Sequence, residues 1–292
     1  MPVRLDEFEE RLPAVGAREW RRRIASAQPL IGLWATAGSV TTTEILGASG
    51  ANWIIIDAEH SPTTSFGVQE QLRVLDTAPV FTVIRAGSKD PLELARWLDL
   101  GGRGLMVPMV ESRAEAEAVV DSVRYPPRGR RGVGGGFARA TRWNVVSDYL
   151  ARAEESFSVI VQIETERSLD ALEEIIAVDG IDAVFIGPAD LAASLGHLGD
   201  PRHPEVRERV ADAIRRCVAQ GFPVGVNSFA ADDARTYADL GARLIAAGAD
   251  VTLLAAGSRD LVARLAPSAD AAAEQPAHGS IAAHTQRKGT KQ

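Results

Sequence analysis

Glu164 and Asp190 each stand at the end of a short apolar run, in VQIET and VFIGPAD. Two carboxylates converging on one place repel each other unless something neutralises them, and a hard divalent cation does so. Oxygen ligands suit Mg²⁺ or Mn²⁺. Two protein ligands also leave positions for water and a chelating substrate. Asp190 has a second reading, because LAASLG follows it and it is well placed to cap a helix. His60 follows the run WIIIDAE, at the start of a Ser61-Pro62 loop. Its imidazole suits proton transfer near neutral pH, with Asp57 three residues earlier to orient the ring. A loop histidine bonded to backbone is the competing reading. Arg85 closes FTVIRAG. There a guanidinium can hold a carboxylate in two places or steady a developing oxyanion, or it can pair with a neighbouring carboxylate. Gln162 and Asn227 end two further runs. Trp34 lies on the first run, as a pocket wall or as core.

Such residues need elements that bring run ends together. Eight apolar runs recur: 31–36, 53–59, 79–86, 104–110, 158–165, 182–189, 223–229 and 243–249. Helical patterns such as PLELARWLDLG and PEVRERVADAIRRCVAQG separate them. Near-continuous apolar strands alternating with helices imply a parallel sheet covered on both faces. Eight units within 292 residues imply one closed (β/α)₈ TIM barrel, whose strand ends carry the chemistry. An open doubly wound sheet would want a Gly-rich turn after its first strand; AGSVTTTEILG has no such turn.

The spacing predicts an N-terminal helical extension over 1–29, the barrel over 30–266 and a disordered tail over 267–292. The tail is Ala, Pro and polar residues without periodicity, and its His278 and His284 read as bystanders. One connection is unusually long, RYPPRGRRGVGGGFARATRWNVVSDYLARAEES. Long ordered insertions tend to build an active face, and Gly134, Gly135 and Gly136 would let backbone approach a ligand.

The formal net charge of -7 argues against nucleic acid or an anionic membrane as the main partner. The basic cluster Arg128, Arg130 and Arg131 lacks interleaved aromatics and reads as loop surface or subunit contact. A single cysteine, Cys217, excludes an intrachain disulfide and a cysteine-rich metal centre. It falls on a helical pattern and reads as a buried structural thiol. Neither a signal-peptide pattern nor a membrane-length apolar run is evident, which predicts a cytoplasmic protein.

Taken together, WIIIDAEHSPTT, VIRAGSKDP, GLMVPMVES, RYPPRGRRGVGGGFARATRW, VQIET, VFIGPADLAASLG and DVTLLAAG resemble the class II pyruvate-aldolase branch of the HpcH/HpaI aldolase/citrate lyase family. The likeness runs from about residue 30 to about residue 265. It implies a lyase that cleaves or forms 4-hydroxy-2-keto acids, from pyruvate or a hydroxypyruvate-like keto acid plus an aldehyde, through a metal-stabilised enolate. By the resemblance, Glu164 and Asp190 are ligands to Mg²⁺, Mn²⁺ or Co²⁺. His60 is the base-side histidine, working with Asp57. Arg85 binds the pyruvate oxygens, and Gln162 and the backbone of Ala189 surround them. Asp99 matches an aspartate that relatives supply from a neighbouring subunit, in trimers or hexamers. The loop GGGFARA and the strand VGVNSFAADD depart from better-known members at the aldehyde end, so the second substrate does not transfer. The alternative within the family is a CoA-ester lyase of the citrate-lyase type; an oxaloacetate decarboxylase would use the same enolate.

Overall fold

The computed structural model describes residues 2–266. Its strands are β1 Leu30–Ala35, β2 Trp53–Asp57, β3 Phe81–Arg85, β4 Gly104–Val107, β5 Ser158–Ile163, β6 Ala183–Ile186, β7 Val224–Asn227 and β8 Leu244–Ala249. Each apolar run overlaps one. They pair in sequence order, all parallel, and β1 closes on β8. This is the (β/α)₈ barrel that the alternation of runs implies. The helices are α1 Leu5–Glu9, α2 Ala17–Ile24, α3 Val40–Gly47, α4 Ser65–Leu75, α5 Pro91–Asp99, α6 Arg113–Val123 and α7 Tyr149–Arg152. They continue with α8 Glu166–Asp170, α9 Leu172–Ile176, α10 Pro188–Ser194, α11 Pro204–Ala219, α12 Ala231–Asp239 and α13 Asp250–Leu265. The chain divides into Met1–Leu253, which contains the barrel, and Leu254–Gln292, whose described part is helical. The tail expected over 267–292, with His278 and His284, lies outside the described residues. Among those described, no helix is long and apolar enough to cross a membrane.

Strand residues alternate between two buried layers, as the period of two requires. Ile54, Ile56, Ile84, Leu105, Val159, Val161, Val184 and Val226 face outward and pack with Leu72, Leu94, Val119, Leu172 and Ile214 of the helices. Trp53, Ile55, Phe81, Val83, Met106, Ile160, Phe185 and Leu244 form a second cluster, the filling of the barrel. Glycine makes room for the large rings. A Cβ on Gly32 would run into the Trp53 indole, and one on Gly104 would lie 2.7 Å from the Phe81 ring.

The segment before β1 plugs the strand-start end. Trp20 of α2 is fully buried, stacks on Phe81 with ring centroids 4.3 Å apart and lies 5.9 Å from Trp53. Arg21 fixes α2 there through Asp182, at 2.8 Å, just before β6.

The long connection between α6 and β5 also lies at the strand starts, not at the active face expected for it. Arg139 and Arg142 in its short 3₁₀ region share Asp76 with Arg103, which precedes β4. The reason is topological. This segment leads from a helix back to a strand, so both its ends are at the strand-start end; only strand-to-helix loops crest the other face. Its basic residues are paired within the chain: Arg128 with Glu154 at 3.0 Å, Arg130 with Asp121 at 2.7 Å, and buried Arg131 with Asp99 at 2.6 Å. Cys217 is fully buried on α11, and burial pushes its thiol up to about 12.

Candidate active site

Along the inward face of each strand, apolar side chains give way to polar ones at the carboxyl end. On β2 the series is Trp53, Ile55, Asp57; on β3 it is Phe81, Val83, Arg85. The pairing of β2 with β3 sets Asp57 directly beside Arg85. Arg85 donates from Nε to Asp57 Oδ1 at 2.9 Å and from Nη2 to Oδ2 at 2.8 Å, a two-point fork. Asp57 is 1% exposed and also accepts the backbone N–H groups of Glu59 and His60. Its oxygens are therefore committed to Arg85 and the loop, not to the His60 ring for which the sequence proposed it. The carboxylate nearest that ring is Glu59, at 3.6 Å from Nε2, and the imidazole itself is two-thirds exposed. Glu59 also meets Arg85 Nη1 at 3.0 Å. Burial raises the Glu59 carboxyl above its ordinary range, although Arg85 and His60 pull it down.

Trp34, near the end of β1, is part of the core, as one of its two readings expects. Its ring is buried against Phe185, and the Arg85 guanidinium lies 4.4 Å over its face. Its Nε1–H donates to Asn227 Oδ1 at 3.0 Å. Asn227 thus ties β7 to β1 and, through the indole, to Arg85.

On β5 the inward series is Ser158, Ile160, Gln162, and Glu164 follows in the same period. Glu164 is 3% exposed. Gln162 Nε2 donates to Glu164 Oε2 at 2.8 Å, and the Met109 backbone N–H donates to Oε1 at 2.7 Å. Met109 takes a positive φ of 55° after β4. That backbone is costly for a non-glycine residue and is held by its surroundings. Gly187, after β6, gives the carboxylate its space: a Cβ there would lie 2.7 Å from Glu164 Oε2. Burial is the main force pushing the Glu164 carboxyl up to about 7; the charges of Asp190 and Glu59 add to it, while the Met109 N–H and Arg85 oppose it.

Asp190 is the third residue of α10, whose N-cap is Gly187 and whose first position is Pro188. The cap position is therefore not Asp190's. Its carboxylate is exposed at the top of the barrel and is felt by both Glu164 and Glu59. Ala189 and Asn227 line an adjoining cavity of about 350 Å³, with Arg202, Phe229 and Tyr237 at its outer side.

Asp57, Glu59, His60, Arg85, Gln162, Glu164, Asp190 and Trp34 thus gather at one end of the lumen. Asp99 does not join them. It ends α5, which returns to the strand-start end, and it is bound there by Arg131. Glu59, Met109, Gly187 and Asn227 received no role from the sequence. Glu59 was legible in principle, since it shares the inward period with Asp57; the Met109 amide and the Gly187 space depend on neighbouring strands. The arrangement offers a desolvated carboxylate short of positive charge, a second carboxylate above it, an anchored guanidinium and a solvent-reaching imidazole.

Comparisons with known proteins agree on one family. The model of the HpcH/HpaI aldolase/citrate lyase family matches residues 30–256. A 4-hydroxy-2-oxo-heptane-1,7-dioate aldolase of Klebsiella pneumoniae is 43% identical over 246 residues, covering 84% of this chain and 93% of that protein. A hydroxypyruvate/pyruvate aldolase of Deinococcus radiodurans is 43% identical over 281 residues, covering 96% of this chain and 99% of that protein. Among solved structures, an HpcH/HpaI aldolase/citrate lyase family protein from Burkholderia cenocepacia superposes with a TM-score of 0.81 at 38% identity, covering 85% of this chain and 99% of that one.

Proposed function

Since the chain belongs to the HpcH/HpaI aldolase/citrate lyase family, we propose that it is a metal-dependent class II aldolase, a carbon–carbon lyase acting on 4-hydroxy-2-keto acids. Its partners are a small keto acid, pyruvate or hydroxypyruvate, and an aldehyde. Both relatives at 43% identity are named aldolases, which favours this reading over a CoA-ester lyase or a decarboxylase.

The observation that carries the reading is Glu164. Burial pushes this carboxylate up to about 7, and Asp190 and Glu59 add negative charge to it. Among the described residues no Arg or Lys forms an ion pair with it; Arg85 pairs with Asp57 and Glu59. The donors are hard oxygens, so Glu164 and Asp190 fit a divalent ion of the Mg²⁺, Mn²⁺ or Co²⁺ type. When bound, such an ion supplies positive charge beside the keto acid's carboxylate and carbonyl oxygens.

The chain's own residues do the rest. Gln162 Oε1 is buried without a partner, so it is free to accept from a substrate or a water. Arg85 is held rigidly by Asp57 and Trp34 and presents its Nη1 edge, covered by Glu59, toward the site. That edge stabilises the negative charge that develops on the keto acid oxygen as the C3–C4 bond breaks. His60 takes the proton of the C4 hydroxyl in cleavage and returns it in synthesis. Glu59, 3.6 Å from the ring, holds the imidazole in place. The cavity beside Ala189 and Asn227 receives the aldehyde end.

We further propose that the chain works as a homo-oligomer, a trimer or hexamer. Asp99 sits away from His60 of its own chain, and Val133, Phe137 and Trp143 nearby are exposed apolar side chains. Asp99 would then serve the site of a neighbouring copy. The cytoplasm is the proposed compartment, and the lone buried Cys217 suits reducing conditions.

The test is pyruvate release from a panel of 4-hydroxy-2-keto acids after chelation, with Mg²⁺, Mn²⁺ or Co²⁺ restored. Metal-dependent release is expected, and the fastest substrate identifies the aldehyde. Release that persists fully in chelator would sink the metal assignment. No release under any condition, with turnover of a CoA thioester instead, would move the chain to the citrate-lyase branch.

A further inference from the structure

We propose that the turn joining α10 to α11 holds a second metal site, separate from the carboxylate pair, built from His197, His203 and Glu205 and suited to a borderline ion such as Zn²⁺. One ligand atom from each residue lies within 4.8 Å of the other two. His197 Nε2 is 2.8 Å from Glu205 Oε2. The two imidazoles stack with centroids 3.5 Å apart and planes inclined by 16°.

Two backbone turns build this cluster. Gly196 and Gly199 take positive φ values of 84° and 85°, which side-chain-bearing residues rarely adopt. The His197 amide donates to Ala192 O at 2.7 Å, Asp200 N to His197 O at 2.9 Å and His203 N to Asp200 O at 3.1 Å. These two turns bring residues six apart in sequence side by side. A cap and a surface ion pair explain Glu205 and one nitrogen of each ring. They do not explain why two imidazoles lie face to face over a carboxylate.

The donor atoms suit a metal. His203 Nδ1 accepts the Glu205 amide at 3.3 Å, so that nitrogen is bare and the neutral ring carries its proton on Nε2. Two imidazolium rings this close would repel. The His197 contact is the main cause holding the Glu205 carboxyl below its usual range. The cluster therefore presents a carboxylate and two imidazoles, the donor set of many zinc sites. Zinc bonds of roughly 2.0–2.2 Å put ligand atoms about 3.4 Å apart. Because an imidazole binds a metal in its ring plane, closing from 4.8 Å turns the two rings out of their stack. Binding through His203 Nε2 moves that ring's proton to Nδ1 and exchanges the long cap bond for a metal bond. Imidazole donors separate this site from Glu164 and Asp190, whose oxygens suit harder ions. The ion would fasten the far end of α10, whose first turn carries Asp190, to the start of α11.

The test uses the full chain, stripped with chelator and titrated separately with Zn²⁺ and Co²⁺. The wild type should bind Co²⁺ with the strong visible absorption of a four-coordinate ion. Glu164→Gln should keep that band, whereas His197→Gln and Glu205→Gln should each lose it. Both of these should also lose one equivalent of Zn²⁺ per chain, or bind it at least tenfold more weakly. Glu205→Gln keeps the backbone amide that His203 caps, so loss in both variants reports ligation and not a disturbed helix start. Unchanged Zn²⁺ stoichiometry and affinity in both variants, or a wild type without the four-coordinate band, would overturn the site. Loss of the band in Glu164→Gln alone would assign it to the carboxylate pair and equally overturn it.

Discussion

The two ends of the barrel lumen are built from the same strands and are opposites. At the strand starts, Trp20, Trp53 and Phe81 fill the lumen with fully buried rings. Four residues further along β2 and β3, Asp57 and Arg85 fill it with charge. The first end is closed by shape: rings pack beside glycines, and Trp53 Nε1 donates to Leu30 O at 3.1 Å, while Trp20 Nε1 and Ser158 Oγ are buried without a partner. The second end is left unbalanced, with Glu164 pushed up to about 7 and Gln162 Oε1 unpartnered. Stability is concentrated at one end of each strand and chemistry at the other. The strands in between hold the two apart, so substitutions at the two ends should separate cleanly.

The largest effect should come from Glu164→Gln. Losing the proposed metal ligand should lower kcat/KM by about 10³-fold or more, roughly 4 kcal/mol of transition-state stabilisation. The same change should not destabilise the metal-free fold. Glu164's folded value of about 7 lies above its ordinary 4.5. Its favourable contribution to folding is thus present below about 4.5 and is lost as pH rises through about 7. In metal-free buffer, the wild type should lose Tm over that window and the variant should lose less. A variant that unfolds at neutral pH would show that the carboxylate is structural and break the comparison.

Trp20→Ala tests the other end. Removing a fully buried indole should cost about 3–5 kcal/mol of stability, read by denaturant titration. Turnover per folded molecule should stay within about twofold of wild type. A large fall in kcat of the folded variant would mean that the plug shapes the site across the lumen.

Arg85→Lys comes next. A lysine cannot make the fork to Asp57 or lie flat over Trp34. We expect kcat/KM to fall by about 10²-fold or more, on the scale of losing one oxyanion donor, with a smaller change in Tm. Smallest is Asn227→Leu, which removes the acceptor of the Trp34 N–H beside the cavity proposed for the aldehyde. It should change the ratio of kcat/KM between a polar and an apolar aldehyde by about tenfold and leave metal affinity unchanged.

Much of this division is written in the sequence. The apolar runs mark the strands, and the polar residues at their ends mark the active face, because a strand presents one inward side chain every second residue. Contacts that depend on pairing between strands are not written there. Asp57 looks like a partner for His60 three residues away, yet the register of β2 on β3 gives it to Arg85. The strain at Met109 and the space at Gly187 arise from the same kind of neighbour relation. The α6–β5 connection misled through its length and glycines; what decides its position is that it leads from a helix to a strand. Trp20 looked like part of an appended helix because nothing in REWRRR says that the strand-start end of a barrel needs a plug.

The most direct test of the central claim is a Mn²⁺ titration of the chelator-stripped wild type and Glu164→Gln, with and without pyruvate. The wild type should bind an ion at the carboxylate pair whose affinity rises when pyruvate is present, as linkage between metal and keto acid requires, and the variant should lose both the ion and the pyruvate effect. Equal Mn²⁺ affinity in the two proteins, with an equal response to pyruvate, would contradict a metal-holding active end.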